Sequence, residues 1–304
     1  MRHLLGDFDI SKTEIENVLD LASKIKINPE KFSESLKGKI LGMVFQKQST
    51  RTKASFEAAM YQMGGNAIFL DNNNSQIGRG ESLPETAKIL SGYTDAITAR
   101  LFAQKDLEEM AAVAKVPVIN ALTDLYHPCQ IIADLLTIME KKGTLKGLKL
   151  AYFGDGGNNV ARSLLISCSK IGIAVTVCSP DKEKYRPDQE IIERAKKEAS
   201  GKITLTDDLD SAAKNADIIY TDTWISMGME KEKVERMADL LPYQVNGKLL
   251  LNAKKDCIVM HCLPAYEGYE IASEVLKGKH SVVYDQAENR LHAQKALLLW
   301  LLKK

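Results

Sequence analysis

The chain has 304 residues, of which 45% are hydrophobic, enough apolar material to fill the cores of two domains of ordinary size. Its 41 Lys and Arg residues nearly balance its 40 Asp and Glu residues. No overall basic field therefore exists that would hold nucleic acid or an anionic membrane, and any site for an anion must be local.

Cysteine usage and the N-terminal segment indicate the compartment. The five Cys residues form an odd number and include no Cys-x-x-Cys pair, which favours a reducing compartment over a disulfide framework. The first nine residues carry charge early, and no run of about 18 apolar residues predicts a membrane span. We expect a cytoplasmic protein; an organellar protein whose transit peptide has been removed is the alternative.

The first half of the chain alternates predicted helices and strands. Ser11 to Glu14 form a capping-box pattern ahead of an apolar helical period, which predicts an opening helix. A polar, Gly-containing loop is predicted at 71–82. The other predicted elements are strands at 39–45, 66–70, 96–100 and 116–121, and helices at 52–63, 84–91, 106–114 and 128–141.

The second half repeats this alternation. It contains predicted strands at 148–153, 173–178, 203–205, 216–221, 257–261 and 281–284, and predicted helices at 160–170, 187–199, 209–213 and 289–302. The pattern indicates an α/β fold with two doubly wound parallel-sheet domains joined by long helices. We expect one domain at 1–142, with the C-terminal helix 289–304 packing back on it, and the other at 143–288. Substrates are expected at the carboxyl ends of the strands, in the cleft between the domains.

A candidate anion loop, Ser49-Thr50-Arg51-Thr52-Lys53, follows the first predicted strand and opens the next helix. Free backbone N–H groups at a helix start favour an anion, and a guanidinium can bind two phosphate oxygens at once. A Walker loop is excluded because GxxxxGK[ST] is absent. From this segment alone, an ordinary N-cap with a surface Arg and Lys is an equal alternative.

The segment S-T-R-T-K-A-S-F-E resembles the carbamoyl phosphate loop of the aspartate and ornithine carbamoyltransferase family. Five further motifs of that family follow in order and with sensible gaps, so the resemblance covers nearly the whole chain. They are SQIGRGES with Gln76, DAITAR ending at Arg100, HPCQ at 127–130, HCLP at 261–264, and DQAENRLHAQK at 285–295. One such motif is weak, but six in register are a specific signal.

The resemblance implies a binding site for carbamoyl phosphate. His127 is expected to donate to the carbamoyl oxygen with Arg51 and Thr52, while Gln130 and the Leu263 carbonyl hold the carbamoyl NH2 group. A His at a helix N-terminus can stay neutral, although a structural His is the alternative on position alone. The implied catalytic residues are Arg51, Arg100, His127, Gln130 and Cys262. The implied carbamoyl phosphate ligands are Ser49, Thr50, Arg51, Thr52, Gln76, Arg100, His127, Gln130, Cys262, Leu263 and Arg290.

The Gly-rich segment GDGGNN at 154–159 lies between a predicted strand and a predicted helix. A dinucleotide loop is one interpretation, but Asn159 occupies the position of the third Gly in GxGxxG, and no acid ends the next strand. We therefore disfavour a nicotinamide site. The resemblance makes this the amino-acid loop, with Asn159 preferred to Asn158 as the substrate contact.

Asp222 begins the segment D-x-x-x-S-M-G, which resembles the ornithine-specific members of the family. The resemblance implies that Asp222, Ser226 and Met227 bind ornithine, although a capping Asp is the alternative. Cys262 could be a small buried hydrophobe or a covalent nucleophile. The resemblance argues against a thioester and places Cys262 near the δ-amine of ornithine.

The implied reaction transfers the carbamoyl group of carbamoyl phosphate to the δ-amine of L-ornithine, giving L-citrulline and phosphate in arginine metabolism. The five His residues have no metal-ligand spacing, so we expect no metal, and the reaction requires no cofactor. The resemblance implies a homotrimer, or a multiple of trimers, whose active sites are shared through Gln76. The balanced charge and the lack of a long apolar run predict no nucleic acid or membrane partner.

Departures from the usual ornithine pattern leave the acceptor open. They are Lys53, Arg79, Arg162 and the segment Tyr266-Glu267-Gly268. Putrescine, lysine or an acylated ornithine are the related acceptors. From other classes, we weigh a nicotinamide-dependent oxidoreductase and a non-catalytic trimer that binds small molecules.

Overall fold

A computed structural model describes residues 1–73, 75–225 and 228–302, and the chain divides into two compact units. Unit 1 comprises Met1–Leu136 and Glu288–Lys304, and unit 2 comprises Thr137–Ala287. Both points of division fall inside long helices, Pro128–Lys142 and Val283–Leu302. Each unit contains one fully parallel sheet, so the predicted α/β class is confirmed.

Unit 1 is built on a four-stranded parallel sheet with the strand order β2-β1-β3-β4. Its strands are β1 (Ile40–Phe45), β2 (Asn66–Asp71), β3 (Ala96–Arg100) and β4 (Val118–Leu122). Its first helices are α1 (Lys12–Ile27), α2 (Thr50–Gln62), α3 (Leu83–Leu90), α4 (Gln104–Val113) and α5 (Pro128–Lys142), the last of which continues into unit 2. After β1 the chain moves to one side for β2 and to the other for β3. The carboxyl ends of β1 and β3 therefore form a switch point, where α/β sheets bind ligands.

Unit 2 contains a five-stranded parallel sheet with the order β7-β6-β5-β8-β9. Its strands are β5 (Lys149–Phe153), β6 (Ala174–Cys178), β7 (Ile203–Thr206), β8 (Ile218–Thr221) and β9 (Ile258–His261). Its helices are α6 (Asn159–Ile171), α7 (Gln189–Glu198), α8 (Leu209–Ala213), α9 (Lys233–Leu240), α10 (Gly247–Leu250) and α11 (Ser273–Leu276), and α12 (Val283–Leu302) returns to unit 1. The switch point of this sheet lies between β5 and β8.

Local sequence signals explain several element boundaries. The Ser11 side chain caps α1 by accepting from the Glu14 N–H, while the Glu14 carboxylate accepts from the Ser11 N–H at 2.9 Å. The same reciprocal arrangement opens α3 at Ser82. Helix α6 ends at Gly172, whose φ of 110° is a conformation that side chains rarely adopt. Strands β1, β3 and β8 are almost fully buried because helices cover the faces of a parallel sheet, whereas the edge strands β2 and β7 are only partly buried.

The structure differs from the sequence-based prediction near the C-terminus. The segment 281–284 is not a strand, since Ser281 makes only an isolated bridge to Val259 and α12 begins at Val283. A short apolar run has no periodicity that distinguishes a strand from a helix. Packing against β9 therefore determines the conformation of this segment. The sequence-based prediction also missed α9, α10 and α11, which are too short for a clear period. Among the described residues, none of the helices combines the length and apolarity needed to cross a bilayer.

Candidate active site

The predicted anion loop lies at the carboxyl end of β1, where it opens helix α2. Ser49 is the N-cap, and its side chain accepts a hydrogen bond from the Thr52 N–H at 3.2 Å. Thr52 is buried, Arg51 is half-buried and Thr50 is exposed. The loop therefore presents helix N-terminal N–H groups, hydroxyls and one guanidinium together, the donor set that suits a phosphate.

Arg290 connects three of the predicted motifs in unit 1. This buried guanidinium on α12 donates from Nη1 to Gln130 Oε1 at 2.6 Å and from Nη2 to Thr52 Oγ1 at 3.2 Å. Gln130 in turn donates to Asp134 Oδ1 at 2.8 Å. The anion loop, the HPCQ segment and the C-terminal helix thus converge on one cluster, as expected if they form one binding site.

Arg100 is buried at the end of β3 and lies in register with Phe45, the last residue of β1. Its carbonyl accepts from the Gln46 N–H at 2.9 Å, which joins the ends of the two strands. A shift of register between Ala99 and Arg100 marks this point on the β4 side. Arg100 therefore occupies the switch point of the sheet, where the sequence predicted a phosphate ligand.

His127 precedes α5 and is buried. Burial, followed by the charges of Arg290 and Arg100, lowers the pKa of His127 well below its ordinary value of 6.5. A neutral imidazole can donate one hydrogen bond without adding charge to the site. The neutral form is compatible with the predicted donation to a carbamoyl oxygen.

Gln76, the predicted contribution of a neighbouring subunit, begins a short 3-10 helix at Gln76–Arg79 and is exposed. Its carbonyl accepts from the Glu81 N–H at 3.0 Å, so it helps to shape its own loop. An exposed polar side chain on a polar loop is compatible with a role in another subunit, and that role stays a prediction.

In unit 2, Asp222 follows β8 and Cys262 follows β9, its neighbour in the sheet. The Cys262 thiol donates to Asp222 Oδ1 at 2.9 Å, and the amide of Asn158 lies 3.4 Å from Oδ2. Burial raises the pKa of Asp222, while His261 and the Cys262 hydrogen bond oppose the shift. Three predicted motifs, GDGGNN, DxxxSMG and HCLP, thus meet at a buried acid that can attract an ammonium group.

The two candidate Asn residues of the GDGGNN segment have different positions. Asn158 is the buried N-cap of α6: its Oδ1 accepts from the Ala161 N–H at 2.7 Å, and its Nδ2 donates to the Tyr152 hydroxyl at 2.8 Å. Asn159 is the half-buried first residue of that helix. Asn158 therefore braces Asp222, and the predicted substrate contact of Asn159 stays a prediction. Ser226 and Met227, the other predicted ornithine contacts, lie outside the described residues.

Sequence reasoning left His261 as a structural residue, but the structure places it behind the predicted site. Its Nδ1 accepts from the Leu263 N–H at 2.9 Å, so the proton lies on Nε2, which is 3.1 Å from Glu270 Oε1. Both side chains are fully buried. They hold Leu263 at a φ of 58°, a conformation that a Leu rarely adopts, which fixes the backbone whose carbonyl is the predicted ligand.

Sequence reasoning also missed Arg236 of α9, which is buried. Its side chain connects the GDGGNN segment with the loop that follows Asp222. Its Nε donates to the Trp224 carbonyl at 2.7 Å, and its Nη2 forms an ion pair with Asp155 of the GDGGNN segment. No local sequence motif predicts a role for Arg236. A buried Arg that joins Asp155 to the residue two places after Asp222 is well placed to position both loops.

The Gly residues of the GDGGNN segment accommodate protein rather than a dinucleotide. A Cβ at Gly156 would lie 2.7 Å from the Tyr185 carbonyl oxygen, and one at Gly157 would lie 2.7 Å from the Lys184 carbonyl oxygen. In dinucleotide-binding loops, Gly residues instead allow the backbone to approach the pyrophosphate of the ligand closely. The structure therefore argues against the nicotinamide alternative.

Asp222, His261 and Cys262 also form the kind of cluster that can hold a metal ion, with their ligand atoms within 4.8 Å of one another. Sequence spacing did not indicate it, since the residues come from two strand ends. Both ring nitrogens of His261 already take part in hydrogen bonds. We therefore interpret the cluster as a hydrogen-bonded network.

Basic side chains in unit 1 and a buried acid in unit 2 lie at the carboxyl ends of parallel strands, where α/β enzymes bind their substrates. Two family models match the chain. The aspartate/ornithine carbamoyltransferase carbamoyl-P binding domain matches residues 2–140, and the Asp/Orn binding domain of the same family matches residues 146–301. The chain belongs to the aspartate/ornithine carbamoyltransferase family.

Individual relatives extend this finding over the full chain. The ornithine carbamoyltransferase of Oceanobacillus iheyensis is 52% identical over 306 residues, which cover 99% of this chain and 94% of the relative. The solved ornithine carbamoyltransferase of Pyrococcus furiosus is 48% identical, with a TM-score of 0.93 and coverage of 99% and 97% of the two chains. That of Campylobacter jejuni, described as anabolic, is 39% identical with a TM-score of 0.93 and coverage of 99% of both chains. The family predicted from six motifs is confirmed.

Proposed function

We propose that this chain transfers the carbamoyl group of carbamoyl phosphate to the δ-amine of L-ornithine, giving L-citrulline and phosphate in arginine biosynthesis. The matched domains are described as binding carbamoyl phosphate and Asp or Orn. Over nearly its full length, the chain is 52% and 51% identical to two ornithine carbamoyltransferases. This similarity supports ornithine as the acceptor. We assign donor binding to unit 1 and amino-acid binding to unit 2.

The donor is already activated, since phosphate is its leaving group, and the transfer needs no ATP. Arg51, Arg100 and the hydroxyls of the anion loop bind the phosphoryl oxygens. Neutral His127 and Thr52 donate to the carbamoyl oxygen, where negative charge develops as the amine attacks. Arg290 holds Gln130 and Thr52 in place through the two hydrogen bonds described above. Each donor thus acts on charge that is greatest in the transition state.

The acceptor must present a neutral amine about 3 Å from the carbonyl carbon of the donor. The δ-amine of ornithine is protonated in neutral water, since an alkyl ammonium has a pKa of about 10. Asp222 attracts the amino acid, and Asn159, Ser226 and Met227 complete its binding. Cys262 and the Leu263 carbonyl contact the reacting groups, and the departing phosphate accepts the proton that the amine loses.

The observation that carries this proposal is the Arg290 cluster, because it gathers three family motifs around one anion site. The test is a citrulline assay with carbamoyl phosphate and a panel of amines that includes ornithine, putrescine, lysine and acylated ornithine. We expect citrulline from ornithine. Turnover of putrescine alone would identify putrescine, rather than ornithine, as the acceptor. No turnover with any amine would favour a non-catalytic binding protein.

We further propose a homotrimer in which Gln76 of one subunit completes the active site of another, and a cytoplasmic location. The exposure of Gln76 on the 76–79 segment supports the first of these. Sedimentation of the purified protein gives the subunit number. Mixing inactive Gln76→Ala subunits with inactive Arg51→Ala subunits tests the sharing, because hybrid trimers then regain some wild-type sites. Failure of the mixture to regain activity would remove the shared-site proposal.

A further inference from the structure

Gln286, in the first turn of α12, belongs to the DQAENRLHAQK segment but has no role in the ligand set above. Its side chain is buried. Its Oε1 accepts from the His261 N–H at 2.9 Å, and its Nε2 donates to the Tyr220 hydroxyl at 3.0 Å. One side-chain amide therefore joins two neighbouring strands, β8 and β9, whose ends carry Asp222 and Cys262.

Strand β9 is an edge of the sheet in unit 2, so the backbone N–H groups on its outer side have no further strand to pair with. The chain that leads into α12 supplies partners instead. The Val259 N–H donates to the His280 carbonyl at 2.7 Å, and two residues further on the His261 N–H donates to Gln286. Gln286 thus completes the edge at the last residue of β9, directly before Cys262.

The second hydrogen bond of Gln286 leads to the residues that brace Asp222. Tyr220 lies on β8 in register with Tyr152 of β5, and the two rings stack with their centres 6.2 Å apart. The Tyr152 hydroxyl accepts from Asn158 Nδ2 at 2.8 Å, and the same nitrogen lies 3.4 Å from Asp222 Oδ2. All of these side chains are buried. Close-packed interiors transmit displacement, so a change at Gln286 should be felt at both strand ends.

The contact between the two strand ends depends on their relative position. The Cys262 thiol donates to Asp222 Oδ1 at 2.9 Å, and a hydrogen bond weakens steeply when its geometry is disturbed. The pairing of β8 with β9 ends at Thr221 and His261, one residue before this contact. Gln286 bridges the two strands at that boundary.

We propose that Gln286 is a positioning residue of the acceptor site: its amide fixes the end of β9 relative to β8 and thereby sets the positions of Cys262 and Asp222. The role rests on the proposed binding of ornithine in unit 2. Gln286 acts through His261 and Tyr220 rather than on a substrate. Its loss should therefore affect ornithine and leave the binding of inorganic phosphate, which we assign to unit 1, unchanged.

The test compares Gln286→Met with the wild-type protein and with Gln294→Met, a matched change on the same helix. Gln294 is also buried, but among the described residues neither polar atom of its amide has a hydrogen-bond partner. Calorimetry on the full-length protein measures ornithine binding with saturating inorganic phosphate, and phosphate binding alone. Gln286→Met should weaken ornithine binding by about tenfold, because it loses both hydrogen bonds and releases the strand end. Gln294→Met should leave ornithine binding unchanged, and both variants should bind phosphate as the wild type does.

Steady-state kinetics and two further variants separate positioning from general stabilisation. Gln286→Met should also lower kcat by about tenfold, since misplaced groups lose near-attack geometry. Gln286→Glu keeps an acceptor for the His261 N–H and should recover part of both losses. Tyr220→Phe removes only the second hydrogen bond and should give a smaller change in the same direction.

Ornithine affinity and kcat of folded Gln286→Met within about twofold of wild type, whatever its melting temperature, would overturn the positioning role. An equal loss of phosphate affinity would do the same, because the effect would then not be confined to the acceptor site. If Gln286→Met does not fold, Tyr220→Phe decides, and wild-type ornithine affinity in that variant would contradict the proposal. Binding does not depend on turnover, so a wild-type protein that binds ornithine but makes no citrulline would refute the proposed function alone.

Discussion

The predicted sites of the two units are built on the same plan but carry opposite charge. In unit 1, Arg51 follows β1, Arg100 ends β3 and Arg290 donates to Thr52, whereas in unit 2 the buried Asp222 follows β8 and accepts from Cys262, which follows β9. Each lies at the carboxyl edge of a parallel sheet. The sheet thus supplies only the location of a site, and the residues after each strand set the charge that a ligand would meet there.

The charged groups of both regions form hydrogen bonds to neutral side chains. Arg290 contacts the neutral oxygens of Gln130 and Thr52, and Asp222 contacts the neutral thiol of Cys262 and the amide of Asn158. Neutral partners satisfy hydrogen bonds without adding a countercharge, and the cationic groups lie in unit 1 whereas the buried acid lies in unit 2. Substitutions in the two regions should therefore affect the two substrates separately.

The largest effect is expected from Arg51→Ala in unit 1. Removing the guanidinium takes away a donor to the phosphoryl group and to the developing oxyanion, so kcat/KM should fall by about 10³-fold. Arg51→Lys keeps the charge but not the two-point geometry and should recover only part of this loss. Steady-state kinetics with a thermal melt of each variant measure both; turnover of Arg51→Ala at the wild-type rate would contradict the anion site.

Asp222→Asn is the matching change in unit 2. The neutral amide keeps the shape of the side chain but not its attraction for an ammonium group, so the KM for ornithine should rise by about 10²-fold. Phosphate affinity, measured by calorimetry, should stay at the wild-type value. An equal loss of affinity for both substrates would contradict the assignment of one substrate to each region.

The same variant has an expected effect on stability. Since the folded-state pKa of Asp222 is raised, its ionised form costs stability at all pH values above the folded pKa, and this cost disappears as the pH falls through the shifted range. Asp222→Asn should therefore melt no lower than wild type at neutral pH. A clear loss of stability would show that the carboxylate is held by favourable contacts that exceed its desolvation cost.

Arg236 tests whether positioning, rather than direct contact, matters in unit 2. Arg236→Lys keeps a charge near Asp155 but loses the forked geometry that also reaches the Trp224 carbonyl, so the KM for ornithine should rise by about tenfold. The KM for carbamoyl phosphate should not change. If the melting temperature falls while both KM values stay constant, Arg236 stabilises the fold without positioning the loops.

The smallest expected effect concerns His127 and pH. Its folded-state pKa lies below 6.5, so the unfolded chain binds more protons below that pH, and stability falls as the pH decreases. Between roughly pH 6.5 and 5, wild type should lose about 1 kcal/mol more than His127→Gln, which cannot take up this proton. Urea unfolding at several pH values measures the difference. Equal slopes in the two proteins would mean that His127 is protonated in the folded state.

Much of the fold could be predicted because its signals are local. Buried parallel strands appear as apolar runs, as at 40–45, and Ser11 with Glu14 marks a helix start within four residues. Prediction failed where a short run had no clear period, as at 281–284, and where short helices such as α9 lie in a polar stretch. In those segments tertiary packing decides the conformation, and local preference is too weak to show it.

For the candidate site, the sequence by itself determined the six family motifs and therefore the family, since each motif is a run of neighbouring residues. Only the tertiary structure decided which motifs touch. Arg290 reaches Thr52 across 238 residues of sequence, Arg236 reaches Asp155 across 81, and His261 meets Glu270 in a fully buried pair. Such contacts depend on strand order and on burial, which bring distant residues together without leaving any pattern in the local sequence.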